Sequence, residues 1–163
     1  MRMELIQPFV NAADAVLAQT LNGPTTVGDI TMEEDAYRRR GVAALVRVAG
    51  DIEGRVIFDL EPETAMKVTS TFAGADASEE LMPEAICELA NQVIGNAVTT
   101  LNDQGFHFKV MPPEVHTDDR ADGNSEDTEA LVLTFETTSG TVFMNIAMRY
   151  NRRRKGEEAL VGD

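Results

Sequence analysis

Cysteine, histidine and positive charge are scarce in this chain of 163 residues. Cys87 is the single cysteine, so an internal disulfide is impossible, and His107 and His116 do not complete a matched set of zinc ligands around it. We therefore predict no metal site. The 28 acidic residues outnumber the 14 basic ones, and a net charge of -14 would repel a phosphate backbone. We also predict no nucleic-acid partner.

Long hydrophobic runs and the common cofactor motifs are absent too. No stretch approaches the roughly 20 apolar residues of a membrane span, and residues 1–4 do not begin a secretion signal. The sequence contains no Gly-x-Ser-x-Gly elbow, no glycine-rich phosphate loop and no dinucleotide fingerprint. We expect a cytoplasmic protein with no membrane partner and with no cofactor bound by this chain.

The apolar content indicates one folded domain. Hydrophobic residues make up 43% of the chain, which suffices for a single core over residues 1–150. Residues 151–163 show no pattern and are predicted to be a flexible C-terminal tail. The strongly charged residues 118–127 are predicted to form a solvated hairpin tip. Two basic clusters, at residues 38–40 and 152–155, lie beside predicted strand ends, where solvated charge discourages edge pairing.

Hydrophobic periodicity predicts an α+β fold. An antiparallel-rich sheet is expected, with two long helices packed on it, because helices and strands do not alternate strictly. Turn residues at 50–54 and 138–140 predict two hairpins. The predicted helices cover residues 4–21, 62–72 and 83–102, and the predicted strands cover 25–32, 42–49, 55–60, 106–111, 130–137 and 141–150, with 114–117 as a possible continuation.

The helix over residues 83–102 has one almost wholly polar side. Apolar residues occupy its opposite side, so the polar side must face water or a partner. A merely wet helix face is the simplest interpretation. However, Asn91 and Gly95 are poor helix formers, and a face selected for stability alone would favour Lys, Glu or Ala. At about 100° per residue, the polar stripe consists of Glu84, Glu88, Asn91, Gln92, Gly95, Thr99 and Asn102.

Spacing within this stripe suits contact with another protein. Glu88 and Asn91, at positions i and i+3, project side by side and can reach into one pocket. Gly95 removes side-chain bulk one turn later, so a partner can approach the helix backbone. Cys87 lies near the edge of the apolar side and is predicted to be a packing thiol rather than a nucleophile.

Four sequence blocks occur in a fixed order along the chain. They are Gly50-Asp51-Ile52-Glu53-Gly54, Glu63-Thr64-Ala65-Met66-Lys67-Val68, Ala85-Ile86-Cys87-Glu88-Leu89-Ala90-Asn91 followed by Gly95 and Ala97, and Pro112-Pro113. Over about residues 5–117 they resemble the CheX-type chemotaxis phosphatases of the CheC/CheX/FliY family, which implies the CheC-like fold. The resemblance further implies hydrolysis of the aspartyl phosphate on a phosphorylated CheY-type response regulator. No second Glu-x-x-Asn motif occurs, which fits the single-site CheX type better than CheC.

The resemblance also implies roles for individual residues. Glu88 would pair with a receiver lysine, and Asn91 would enter the receiver site and orient the attacking water. Glu84, Gln92, Gly95 and Thr99 would contact the partner. Relatives with two such sites often have Asp or Ser where this chain has Glu84, a difference expected to affect docking more than chemistry. Mg2+ is expected in the partner receiver and not in this chain, and a homodimer paired through sheet edges is implied.

The sequence is compatible with two other classes of function. A CheX-like dimeric adaptor would bind receivers or other signalling partners without hydrolysing anything, as the acidic composition and Glu84 allow. An unrelated α+β ligand-binding module would require the four ordered blocks to be coincidental.

Overall fold

The computed structural model describes residues 3–33, 39–116 and 129–151. The predicted hairpin tip at 118–127 therefore lies outside the described residues. Two short 3-10 turns, Gly74–Asp76 and Glu79–Leu81, connect the second helix to the third. The helices are α1 (Met3–Thr20), α2 (Pro62–Ala73) and α3 (Met82–Asp103), and the strands are β1 (Thr26–Glu33), β2 (Val42–Gly50), β3 (Ile52–Leu60), β4 (Phe108–Val110), β5 (Glu114–His116), β6 (Ala130–Thr137) and β7 (Gly140–Tyr150).

The strands form one seven-stranded sheet in the order β1-β6-β7-β3-β2-β4, with β5 also paired to β2. Every pairing is antiparallel. Among the described elements a helix follows a strand only at the β3–α2 connection, so these elements do not form the crossovers of a parallel sheet. The predicted α+β fold with an antiparallel sheet and two long helices is confirmed.

All three helices cover the same face of the sheet. On β3 the alternate side chains Val56, Phe58 and Leu60 are fully buried in the core that the helices share. Helix α3 contacts both α1 and α2, and it also contacts β2. Burial of each such large apolar side chain contributes about 1.5–3 kcal/mol. This packing fixes which side of α3 faces outwards.

The opposite face of the sheet contains a buried carboxylate near the end of β3, beside the start of β2. Asp59 is 1% exposed, and it accepts hydrogen bonds from the backbone N–H groups of Arg40 (2.6 Å) and Gly41 (2.8 Å). Arg40 is exposed, as solvated charge would be, but its guanidinium carbon lies 4.3 Å from the ring centroid of Phe143. This part of the basic segment therefore also packs on the sheet.

The turn predicted over residues 50–54 is wrong in extent. Strand β2 continues through Gly50, and only Asp51 separates it from β3. At this end β2 pairs with β4, while β3 pairs with β7. Gly54 has a φ of 151°, and a Cβ there would lie 1.9 Å from the carbonyl oxygen of Ala147. This glycine thus permits close strand approach within the sheet instead of forming a turn.

The strand predicted over residues 106–111 is shorter than expected, because the backbone before β4 has other partners. The N–H of Phe106 donates to the carbonyl of Leu101 at the end of α3, 3.1 Å away. The N–H of His107 donates to the carboxylate of Asp51, 2.8 Å away. These bonds hold the connection against α3 and the β2–β3 turn.

The two ends of the described chain are bonded together. The hydroxyl of Tyr150, the last residue of β7, donates to the carboxylate of Glu4 in the first turn of α1. Asn151, the first residue of the predicted tail, donates through its side chain to the carbonyl of Gly50, 2.9 Å away. Residues 152–163 lie outside the described residues, so the rest of the tail stays a prediction.

Candidate docking and catalytic surface

Helix α3 presents the predicted polar stripe on its outer side. Nine side chains of α3 are buried on the opposite side, at the 3–4-residue spacing of an amphipathic helix. The two sides are therefore divided as the sequence predicts. The exposed residues include all six predicted site residues, Glu84, Glu88, Asn91, Gln92, Gly95 and Thr99, together with Asn102.

Glu88 and Asn91 lie side by side at the middle of this stripe. Gln92 donates from Nε2 to Oε1 of Glu88, at 3.3 Å. Among the described residues Glu88 has no cationic partner, so its negative charge is uncompensated there and one carboxylate oxygen is available. Within the described parts of the chain, Asn91 makes no side-chain hydrogen bond. Its carboxamide can therefore donate and accept hydrogen bonds to a partner or to water.

The charge of the stripe changes along the helix. The segment from Leu89 to Asn102 contains no charged residue, so Asn91 lies just inside an uncharged stretch. The N-terminal half of α3 and the turn before it are acidic. Because like charges repel, a bound phosphoryl group is better accommodated beside the uncharged stretch than beside the acidic half. The acidic residues are Glu79 and Glu80 in the turn and Glu84 and Glu88 in the first half of α3.

Further along the stripe, Gly95 exposes the backbone of the helix. Apart from the adjacent residues and the backbone of its own helix, a Cβ built on Gly95 would meet no atom within 4 Å. The hydroxyl of Thr99 donates to the carbonyl of Gly95 at 3.1 Å, a bond from residue i to i−4 that is common for threonine in helices. Gly95 therefore leaves a gap in the side chains of the stripe between Asn91 and Thr99.

Cys87 lies between the two sides of α3 and is half-buried. Burial raises the pKa of its thiol, so the unreactive neutral form is favoured. A packing role agrees with this environment.

Potential metal ligands are not clustered in the described residues. No three His, Cys, Asp or Glu side chains within residues 3–33, 39–116 and 129–151 are arranged to hold a metal ion. The exposed His107 contributes its backbone N–H to the turn contact already described. None of the described helices is long and apolar enough to cross a membrane.

Sequence reasoning missed an apolar strip on β1. Val27, Ile30 and Met32 are 37%, 56% and 49% exposed. They pair with Phe135, Leu133 and Leu131 of β6, whose side chains are buried beneath the helices. The strip thus continues the core side of the sheet to a position that the helices leave exposed. Alternating apolar residues after Gly28 and Asp29, where the pairing register shifts, were the available signal.

Comparisons with known proteins agree on one family. The model of the family described as chemotaxis phosphatase CheX matches residues 42–136. A curated relative, the CheY-P phosphatase CheX of Thermotoga maritima, is 32% identical over 95 residues. That match covers 56% of this chain and 57% of the relative, so the chain spans little more than half of that relative's length.

Solved structures share the fold over nearly the whole chain. A CheC-like superfamily protein from Shewanella sp. PV-4 has a TM-score of 0.78 at 22% identity, covering 91% of this chain and 99% of that one. A CheX from Borrelia burgdorferi, solved in complex with CheY, BeF3 and Mg2+, has a TM-score of 0.72 at 30% identity. The structural match covers 91% of this chain and 99% of the Borrelia chain. These matches identify the CheC-like fold predicted from the sequence.

Proposed function

Because the chain belongs to the CheX family of chemotaxis phosphatases, we propose that it binds a phosphorylated CheY-type receiver and hydrolyses its aspartyl phosphate. The observation that carries this proposal is the exposed Glu88–Asn91 pair, placed where the acidic half of α3 gives way to the uncharged stretch. Two relatives support the proposal: the Thermotoga protein is described as a CheY-P phosphatase, and the Borrelia CheX was solved in complex with CheY. We also propose a cytoplasmic location, because the proposed receiver substrate would be found there.

Asn91 is proposed to orient the attacking water. Its carbonyl oxygen would accept a hydrogen bond from the water, while its NH2 group would donate to the water or to a phosphoryl oxygen. Water attack forms a P–O bond as the bond to the aspartyl oxygen breaks, which releases dihydrogen phosphate and a free receiver carboxylate. An acyl phosphate is already reactive, so in-line placement of the water is the main remaining requirement.

Glu88 is proposed to pair with the receiver lysine. The hydrogen bond from Gln92 holds one carboxylate oxygen of Glu88 and leaves the other for the partner ammonium. The divalent metal, expected to be Mg2+, belongs to the receiver, where it offsets charge on the phosphoryl oxygens. Glu84, Gln92, Gly95 and Thr99 complete the proposed docking surface.

The proposal is tested with phosphorylated receivers from the same genome. Wild-type protein in catalytic amounts should accelerate phosphate release from at least one receiver. Asn91→Ala should slow this release about a hundredfold, because the water loses its positioning group. Thr100→Ala is the matched control, since Thr100 is exposed on α3 outside the stripe and should retain full activity.

The same assay separates the phosphatase from a non-catalytic adaptor. If wild-type protein binds a receiver but accelerates release from none, the adaptor function is correct and the catalytic role of Asn91 is wrong. Equal rates for wild type and Asn91→Ala would also refute that role.

We also propose a homodimer that pairs through the free edge of β1. Among the described strands β1 pairs with β6 alone, and its exposed apolar strip would be covered by a second copy. At the opposite edge of the sheet, Pro112 and Pro113 separate the short strands β4 and β5 and supply no N–H groups for strand pairing. Sedimentation should show a wild-type dimer and a monomeric Ile30→Lys variant. A wild-type monomer, or an unchanged variant dimer, would refute this assembly.

A further inference from the structure

Glycine at position 95 has no structural explanation within this chain. Nine glycines lie in the described residues, and for six of them an added Cβ would approach another atom to within 3.0 Å. Gly74 and Gly105 have room for a Cβ, but their φ angles of 61° and 97° favour glycine. Gly95 is the exception, because it has open space around it and no such φ angle.

The helix is weakened by this residue. Gly95 lies in the interior of the 22-residue helix α3, where only proline is less favourable than glycine. An alanine Cβ would fit without contact to any other part of the described structure, and alanine would lower the conformational entropy of the unfolded chain. The isolated protein therefore gains nothing from glycine here.

The surrounding side chains leave the backbone at Gly95 open. Gln92 is bonded to Glu88, towards the N-terminus of α3 and away from Gly95. The hydroxyl of Thr99 is bonded to the carbonyl of Gly95 and lies close to the helix. Asn91 is one turn before Gly95 on the same side, so a group resting on Gly95 would be adjacent to the proposed catalytic carboxamide.

We propose that Gly95 is a positioning residue on which the receiver rests directly. A segment of receiver main chain beside the phosphorylated aspartate would pack against the bare backbone of α3 at Gly95. That contact would set how far the Asn91 carboxamide enters the receiver site. This inference rests on the proposed function, since it requires a receiver bound over the Glu88–Asn91 pair.

The decisive experiment compares stability with binding in three variants of the full chain. Gly95→Ala and Gly95→Leu both raise helix propensity and fill the open position by increasing amounts. Thr100 lies about 140° around the helix from Gly95. Thr100→Ala therefore raises helix propensity while leaving the space at Gly95 open. Urea midpoints give stability, and titration with beryllofluoride-activated receiver gives the dissociation constant.

Gly95→Ala should raise the urea midpoint and weaken receiver binding about tenfold, and Gly95→Leu should weaken it further. At saturating protein, the rate of phosphate release should also fall for both variants, because Asn91 is held too far out. Thr100→Ala should bind and react as wild type does. A merely structural role for Gly95 would change the midpoint alone.

Unchanged receiver binding and phosphate release by a folded Gly95→Leu variant would overturn this inference. Asn91→Ala tests the proposed function separately. A lower midpoint for Gly95→Ala would also overturn it, since glycine would then be serving the fold. If wild-type protein binds no receiver, the proposed function fails and the role of Gly95 fails with it.

Discussion

The two sides of α3 follow different rules although they share one backbone. On the inner side, Leu89 and Val93 are fully buried and are selected by the space they fill. On the outer side, Asn91 and Gly95 occupy a helix whose stability they reduce. The inner side therefore explains the fold, and the outer side is explained only by something that binds to it.

The comparison predicts that stability and activity can be lost independently. Substitutions on the inner side should reduce the free energy of unfolding and leave the chemistry of the folded protein intact. Substitutions on the outer side should do the opposite. Four experiments test this separation, in order of decreasing expected effect.

Leu89→Ala should give the largest effect. Leu89 is 0% exposed, and removing its side chain leaves a cavity, so the free energy of unfolding should fall by about 3 kcal/mol in a urea titration. Leu89→Met, which conserves volume, should cost less than about 1.5 kcal/mol. Specific activity per folded molecule should stay at the wild-type value. A loss of activity with unchanged stability would break the assignment of the inner side.

Asn91→Asp should have the largest effect on the outer side. The substitution places a carboxylate beside the phosphoryl group, where charge repulsion opposes binding and water placement. We expect phosphate release to slow about a hundredfold. The free energy of unfolding should change by less than about 0.5 kcal/mol, because the site is exposed. A large loss of stability would show that Asn91 serves the fold.

Gln92→Ala should have a smaller effect on receiver binding. It removes the hydrogen bond that orients Glu88, an exposed contact of 3.3 Å. The dissociation constant for activated receiver should rise about threefold, in line with a weak hydrogen bond. In a Glu88→Ala background the same substitution should have a smaller effect, because only the direct contact of Gln92 with the receiver is then lost. Fully additive losses would mean that the Gln92–Glu88 bond does not orient Glu88.

Cys87, at the boundary of the two sides, should show the smallest effect. Burial raises the pKa of the thiol, so its contribution to stability is fully present below the unfolded-state pKa of about 8.5 and is lost as pH rises through the folded-state pKa. The stability of wild type relative to Cys87→Ala should therefore decrease from about pH 7 to about pH 10. A pH-independent difference would place the thiol in water in the folded state.

Much of this arrangement can be predicted from local pattern. The long helix was predicted to within one residue at each end, because apolar residues recur along it with helical spacing. The exposure of Glu88 and Asn91 followed from the same spacing. Their roles came from the resemblance to the CheX family and not from helix geometry.

The failures involve contacts between residues distant in sequence. Gly50 and Gly54 predict a turn. In the structure, however, Gly54 is required by the close approach of the carbonyl oxygen of Ala147, a residue far along the chain. The exposure of Ile30 and Met32 depends on how far the helical layer extends over the sheet, which no local pattern encodes. The Gln92–Glu88 bond was possible from the spacing, but other rotamers were equally compatible with it.

The bond between Tyr150 and Glu4 has a consequence for engineering. Since the first turn of α1 and the last residue of β7 are in contact, a short peptide could join them, and new termini could be opened elsewhere in a circular permutant. A fluorescent label or fused domain attached at either position would emerge from the same point of the molecule.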